Sequence, residues 1–292
     1  MTTTRVATRG REHTTVRAGD GALLHAFSAG DRHRPAVVIA PACGMPVALS
    51  DPWISALAAH AYVLTWETRC LAASDPHTSD DALVPDDFDT LGHDAATQAN
   101  DLLTVLDHFG VERAHAAGFC GGAVLALQAA AAQPGRFSSL SLWHGDFPLL
   151  DAATTAHQRN LNAILAMAAA SRDTAAELLT MLRQLISSQA PPHLAELLLH
   201  PYASAERFHR YSKLNTALTT TDLAPLLPRI TVPALVVTAA TDATTHPAGS
   251  RAAARLLPGA ELAEAPEGAH LDAFDATPAH QSLLRDFLTA HP

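Results

Sequence analysis

Residues 111–125 read VERAHAAGFCGGAVL, and the chain is understood outward from them. A short apolar run containing Ala114, Ala116 and Ala117 enters Gly118-Phe119-Cys120-Gly121-Gly122, and an alanine-rich helical pattern follows at once. Strand, sharp turn and helix in that order make a nucleophile elbow, G-x-S-x-G, here with Cys in place of Ser. Small residues are needed because the central residue adopts a strained backbone and neighbouring chain passes close by. Cys120 also gains the N-terminal end of a helix, whose partial positive charge favours thiolate over thiol. A buried structural cysteine in a glycine-rich turn is the alternative reading.

The rest of the chain supplies partners for an elbow. Residues 233–238, Pro-Ala-Leu-Val-Val-Thr, form the continuous apolar run expected of a strand buried on both faces. The run leads into Ala240-Thr241-Asp242, at the strand end where α/β sheets place functional side chains. A second run, residues 260–265, precedes Pro266-Glu267-Gly268-Ala269-His270. The order is Cys120, Asp242, His270: nucleophile, acid, histidine. In this arrangement Asp242 orients His270, and His270 takes the proton from Cys120. Asp146, in Trp143-His144-Gly145-Asp146, is the alternative acid.

An oxyanion hole needs the backbone N–H after the nucleophile and one from the loop after an earlier strand. Residues 35–40 supply that strand, and Pro41-Ala42-Cys43-Gly44-Met45-Pro46 its loop. The donors read as Gly121 and Met45, with Cys43 as the alternative if the register differs. Cys43 is also weighed as a second nucleophile, against its lack of a glycine elbow. Glu67 and Arg69 either line a pocket or pair with each other to hold a loop.

Over residues 14–288 the chain resembles the α/β-hydrolase fold superfamily, including the helix of residues 94–107 and the turn of residues 109–114 before the elbow. That resemblance implies a mainly parallel central sheet with a helical lid. More narrowly, the Cys elbow resembles that of acyl- and aminoacyl-shuttling transferases of nonribosomal peptide and related antibiotic assembly lines. Residues 62–69, YVLTWETR, strengthen the link by departing from the superfamily's usual D-x-R-G-x-G segment. The implied activity is acyl transfer through an acyl-Cys intermediate, with an acyl or peptidyl carrier protein as donor. Dienelactone hydrolases and polyester synthases carry Cys at the elbow too, so that residue does not choose among them.

Composition agrees with this class. A chain of 292 residues suits one α/β domain with an insertion: a flexible tail over 1–13, core over 14–148, helical lid over 149–228 and core again over 229–292. The lid region lacks convincing strands, shows apolar residues at helical spacing over 160–171 and 174–188, and is broken at Pro191-Pro192 and near Pro201. Gly19-Asp20-Gly21 reads as a hairpin turn between the first two strands. No apolar run approaches the ~18 residues of a membrane span, and the N-terminus lacks the apolar centre of a secretory signal. Three cysteines without paired spacing suit a reducing cytoplasm. HExxH and HxH spacings are absent, so no metal or other cofactor is expected.

A net charge of −10 argues against nucleic acid, and it obliges an acidic carrier protein to dock on a local basic patch. Arg207, Arg210 and Lys213, spaced by three, fall along one side of a helix and are the candidate patch; a solvated helix face is the alternative. The sequence therefore points first to an acyl transferase using Cys120, His270 and Asp242. A Cys-type thioesterase or ester or lactone hydrolase comes second, and a non-catalytic binding protein on the same fold third.

Overall fold

The computed structural model describes residues 6–8, 10–71, 88–149 and 152–291. Strands β1 (Val6–Thr8), β2 (Arg11–Arg17) and β3 (Leu23–Ala29) pair antiparallel at one edge. β4 (Ala36–Ala40), β5 (Tyr62–Trp66), β6 (Ala114–Phe119), β7 (Phe137–Trp143), β8 (Ala234–Ala239) and β9 (Glu261–Ala265) run parallel to one another. The sheet has the order β1-β2-β3-β5-β4-β6-β7-β8-β9. All of β6 and β8 is buried, which is why neither alternates apolar with exposed polar residues; His115 is the one ionisable residue in β6.

Helices α1 (Asp51–Ala58), α2 (Ala95–His108) and α3 (Gly121–Ala132) belong to the first half of the chain. Between β7 and β8 come α4 (Ala156–Ala170), α5 (Arg172–Gln189), α6 (Ala195–Leu199) and α7 (Ala205–Thr219). α8 (Pro247–Leu256) and α9 (Pro278–Ala290) close the chain. One face of the sheet buries Leu102 and Leu106 of α2, Val124 and Leu127 of α3, and Ala253 of α8; α4, α5 and α7 join the same core. The other face buries Trp53 and Ile54 of α1 with Leu284 and Phe287 of α9. Sheet helices on both faces force the buried parallel strands, and α4–α7 form a cap at their carboxyl ends, where α7 lies beside Gly44 and Gly121.

Four local readings need correction. Residues expected in a flexible tail take part in the sheet: Val6–Thr8 pairs with β2, and Arg11 forms an ion pair with Asp51 while its guanidinium lies 5.4 Å from the Phe27 ring centre. Residues 1–5 and 9 of that tail lie outside the described residues. The turn at Gly19-Asp20-Gly21 therefore joins the second and third strands, closed by Ala18 N donating to Ala22 O at 2.8 Å. α4 begins four residues early because Thr155 and Gln158 form a capping box, Thr155 Oγ1 accepting from Gln158 N at 2.9 Å. Arg69 turns to Asp101 through bonds of 2.8 and 2.6 Å and to Asp20 at 2.5 Å, while Glu67 Oε1 accepts Val47 N–H at 2.9 Å. Both residues hold loop junctions. Among the described residues no helix is long and apolar enough to cross a membrane.

Candidate active site

Cys120 sits between β6 and α3 with φ 52° and ψ −120°, a conformation that a non-glycine residue holds only when its surroundings enforce it. Those surroundings are close. A Cβ added to Gly122 would come 2.1 Å from Ala40 O, and one on Gly118 would come 2.6 Å from Ala123 Cα. The glycines at both ends of the motif are therefore steric requirements. Cys120 N donates to Trp143 O at 3.0 Å, which ties the turn to β7. Behind the turn, Phe119 packs with Trp53, Trp143 and Phe274, and Trp53 Nε1 donates to Ala273 O at 2.7 Å. The same aromatic cluster thus supports the elbow and the segment carrying His270.

Asp242 follows β8, and His270 opens a short 3-10 turn, His270–Phe274, after β9. His270 Nδ1 lies 3.0 Å from Asp242 Oδ2. Oδ1 of the same carboxylate accepts from Thr244 N at 2.8 Å and Thr245 N at 3.0 Å, and Oδ2 also accepts from Thr245 Oγ1 at 3.0 Å. Burial alone would raise the Asp242 pKa, but hydrogen bonds from His144 and His270, the His270 charge and the Thr245 N–H hold it far below the usual carboxylate range. Burial alone would lower that of His270. The charge of Cys120, the hydrogen bond to Asp242, the contact with Cys120 and the charge of Asp242 together push it up to about 10. The imidazole accordingly keeps its proton at neutral pH when Cys120 is ionised.

His144, at the end of β7, was not among the residues singled out from sequence, yet its Nδ1 lies 2.7 Å from Asp242 Oδ2. The available signal was a histidine at a strand's carboxyl end, one residue before a glycine. Asp146, the alternative acid, instead accepts from Gln158 Nε2 of α4 at 2.7 Å, and burial raises its pKa. Ligand-type atoms of His144, Asp242 and His270 fall within 4.8 Å of one another. Spacings of 2.7 and 3.0 Å to a single oxygen are those of hydrogen bonds, which the two Nδ1–H groups supply.

The loop after β4 carries both expected second donors, Met45 and Cys43. Met45 N–H is engaged, donating to Ala42 O at 3.2 Å, and Gly44 N–H donates to Thr68 Oγ1 at 2.9 Å. Cys43 is the residue beside the elbow: a Cβ placed on Gly121 would lie 3.9 Å from Cys43 N. Cys43 N is thus the loop N–H that lies near Gly121, whereas Met45 N–H is taken up within the loop. Burial and the neighbouring Cys120 charge drive the Cys43 pKa far up despite a hydrogen bond with Thr68, which disfavours its thiolate. Burial likewise raises Cys70 to about 11. The cap closes over this loop. A Cβ on Gly44 would lie 2.5 Å from Tyr211 Cδ2, and one on Gly121 would lie 3.1 Å from Leu218 Cδ1, both side chains belonging to α7.

The sequence profile of the alpha/beta hydrolase fold matches residues 35–277. The chain belongs to the α/β-hydrolase fold family. Solved structures agree: a hydrolase from Pseudomonas aeruginosa PA01 is 23% identical with a TM-score of 0.72, over 94% of this chain and 98% of its own. The enol-lactonase from Burkholderia xenovorans LB400 is 21% identical with a TM-score of 0.70, over 98% and 100%. An esterase from Exiguobacterium antarcticum is 17% identical with a TM-score of 0.72, over 94% and 98%. At these identities the likeness establishes the fold.

The basic stripe of this α/β-hydrolase is not the free patch its spacing suggests. Arg207 is buried, its guanidinium 2.6 Å from His200 Nε2. Arg210 Nε donates to Glu206 at 2.8 Å, and Lys213 Nζ donates to Asp89 at 2.5 Å. Arg172 bridges both acids, at 2.8 Å to Glu206 and 2.9 Å to Asp89. Each of the three has a partner: Arg207 a histidine seven residues back, Arg210 a glutamate on the same helix, and Lys213 an aspartate just before α2.

Proposed function

We propose that this α/β-hydrolase is an acyl transferase, its cargo extending to aminoacyl groups, that moves the group from a carrier-protein thioester to a second acceptor through acyl-Cys120. The supporting observation is a cysteine in the strained elbow, set against an imidazole that a buried carboxylate holds. An acyl-Cys is itself a thioester, close in energy to an acyl-pantetheine thioester, so loading is nearly balanced and the group remains available for hand-on. An acyl-Ser ester lies lower. The partner implied is an acyl or peptidyl carrier protein of the kind used in natural-product assembly, docking away from the neutralised stripe.

In the first half-reaction the Cys120 thiolate attacks the thioester carbonyl. The oxyanion is met by the N–H groups of Gly121 and Cys43. The C–S bond to pantetheine breaks, and the departing thiolate takes the His270 proton. In the second half, neutral His270 removes a proton from the acceptor as it attacks acyl-Cys120, and the thiolate–imidazolium pair is restored. Asp242 stays ionised throughout and orients the ring.

The test is the fate of the acyl group. Stopped-time intact-protein mass spectrometry after loading from acyl-pantetheine should find an adduct that persists in water and discharges faster with a suitable amine, hydroxyl or thiol acceptor. Discharge to water that no acceptor accelerates would instead make the protein a Cys-type thioesterase or ester or lactone hydrolase; the Burkholderia neighbour is an enol-lactonase. No adduct with any thioester or electrophile would favour a non-catalytic binding protein.

A further inference from the structure

We infer that His144 is a positioning residue for this reaction, acting through Asp242 to limit how tightly His270 is held as an imidazolium. The inference rests on Cys120, His270 and Asp242 being the reacting set proposed above. His144 is buried, with φ 46°, and its backbone N donates to Val237 O at 2.8 Å. Its Nδ1 approaches Asp242 Oδ2 at 2.7 Å, closer than the 3.0 Å of His270 Nδ1 to the same oxygen. The two rings meet edge to face, centroids 5.7 Å apart.

The carboxylate does not need His144 to stay in place. Thr244 N, Thr245 N and Thr245 Oγ1 already anchor it from the loop after β8. What His144 changes is the oxygen left for His270. Each donor that stabilises the ionised form of Asp242 makes it a weaker base and a weaker acceptor for the next. That suits a cysteine nucleophile: a thiol ionises readily, whereas its partner imidazolium must later surrender a proton to a departing thiolate. An acid that gripped His270 alone would slow that surrender. The groups around His144 are Asp242 and His270, the Thr245 hydroxyl oxygen, 3.3 Å from His144 O, and His280 of α9, which burial and the nearby His144 hold below the usual histidine range. Those around His270 include Cys120, Asp146 and His157.

The experiment compares three variants. His144→Asn places an amide N–H where Nδ1 was and is well tolerated at positive φ. His144→Leu removes the donor, and His144→Gln moves it one bond too far. NMR titration of His270 should find its pKa raised by about half a unit to one unit in Leu and Gln, and unchanged within about 0.2 in Asn. Turnover of an acyl-pantetheine donor should fall about tenfold in kcat with KM unchanged in Leu and Gln, and stay near wild type in Asn. If Leu does not fold, Gln against Asn decides. A His270 titration indifferent to Gln and Leu, or shifted as far by Asn, overturns the inference. Iodoacetamide labelling of Cys120 in His270→Ala separates the two levels. Unchanged labelling sinks the catalytic set itself, whereas slowed labelling with a flat His144 series sinks only the role of His144.

Discussion

Two clusters of charged side chains in this α/β-hydrolase are built in opposite ways. At the sheet, one buried carboxylate, Asp242, serves two imidazoles and two threonines, and the histidine facing Cys120 is pushed up to about 10. Where α7 meets the turn before α2, Asp89 and Glu206 each meet two cations at the surface, Lys213 with Arg172 and Arg210 with Arg172. The first cluster leaves its influence on a single reactive group. The second cancels itself. Grouped charge in a sequence does not distinguish these outcomes, because reactivity depends on burial and on how many partners share one group.

The widest gap between the clusters should appear in activity. Cys120→Ala should abolish acyl loading, and His270→Ala should slow it by about 10²–10⁴-fold while the circular dichroism spectrum stays native. Asp242→Asn should cost a loss of similar order by releasing the imidazole from its orientation. Gly122→Ala tests the elbow's sterics, since its Cβ would lie 2.1 Å from a carbonyl oxygen: the variant should express poorly or melt far below wild type. A normal melting temperature there would contradict the close approach of α3 to β4.

The pH dependence sharpens the contrast through two buried histidines with opposite shifts. His115 sits between the Ser139 and Ser141 hydroxyls at 2.8 Å each, and burial lowers its pKa to about 3. The unfolded chain takes up that proton first, so this contribution to stability is lost as pH falls from about 6.5 towards 3. The folded pKa of His270 is raised, so its contribution is complete below about 6.5 and is lost as pH rises towards 10. Urea unfolding across pH should therefore peak between these limits, each flank worth a few kcal/mol. His115→Leu should flatten the acid flank alone. Turnover should also decline above about pH 10, where His270 no longer has a proton to give.

Legibility from sequence followed the range of the interactions. The elbow was readable because Gly118 and Gly122 answer to atoms within a few residues or on the adjoining strand. The place of Asp242 was readable because β8 announces itself as an apolar run, whereas β9 before His270 carries Glu261 and Glu264 and gives a weaker signal. The oxyanion register stayed open between Met45 and Cys43, since a backbone N–H leaves no side-chain signature. His144 stayed hidden because its importance comes from Asp242, which lies 98 residues away. Lys213 looked free because its partner Asp89 is 124 residues away.

The smallest effect belongs to the cap. Lys213→Gln or Arg210→Gln should change stability by no more than about 1 kcal/mol, because both are surface pairs. KM for a carrier-bound donor should stay within about twofold of wild type even at low salt. A large, salt-sensitive rise in KM would restore the stripe as a docking surface.

The most direct test of the central claim is peptide mapping after brief exposure to a limiting acyl-pantetheine thioester. The account predicts the acyl group on Cys120, ahead of Cys43 and Cys70, with loading much slower in His270→Ala. Acylation of Cys43 first, or loading of Cys120 that is indifferent to His270, would contradict it.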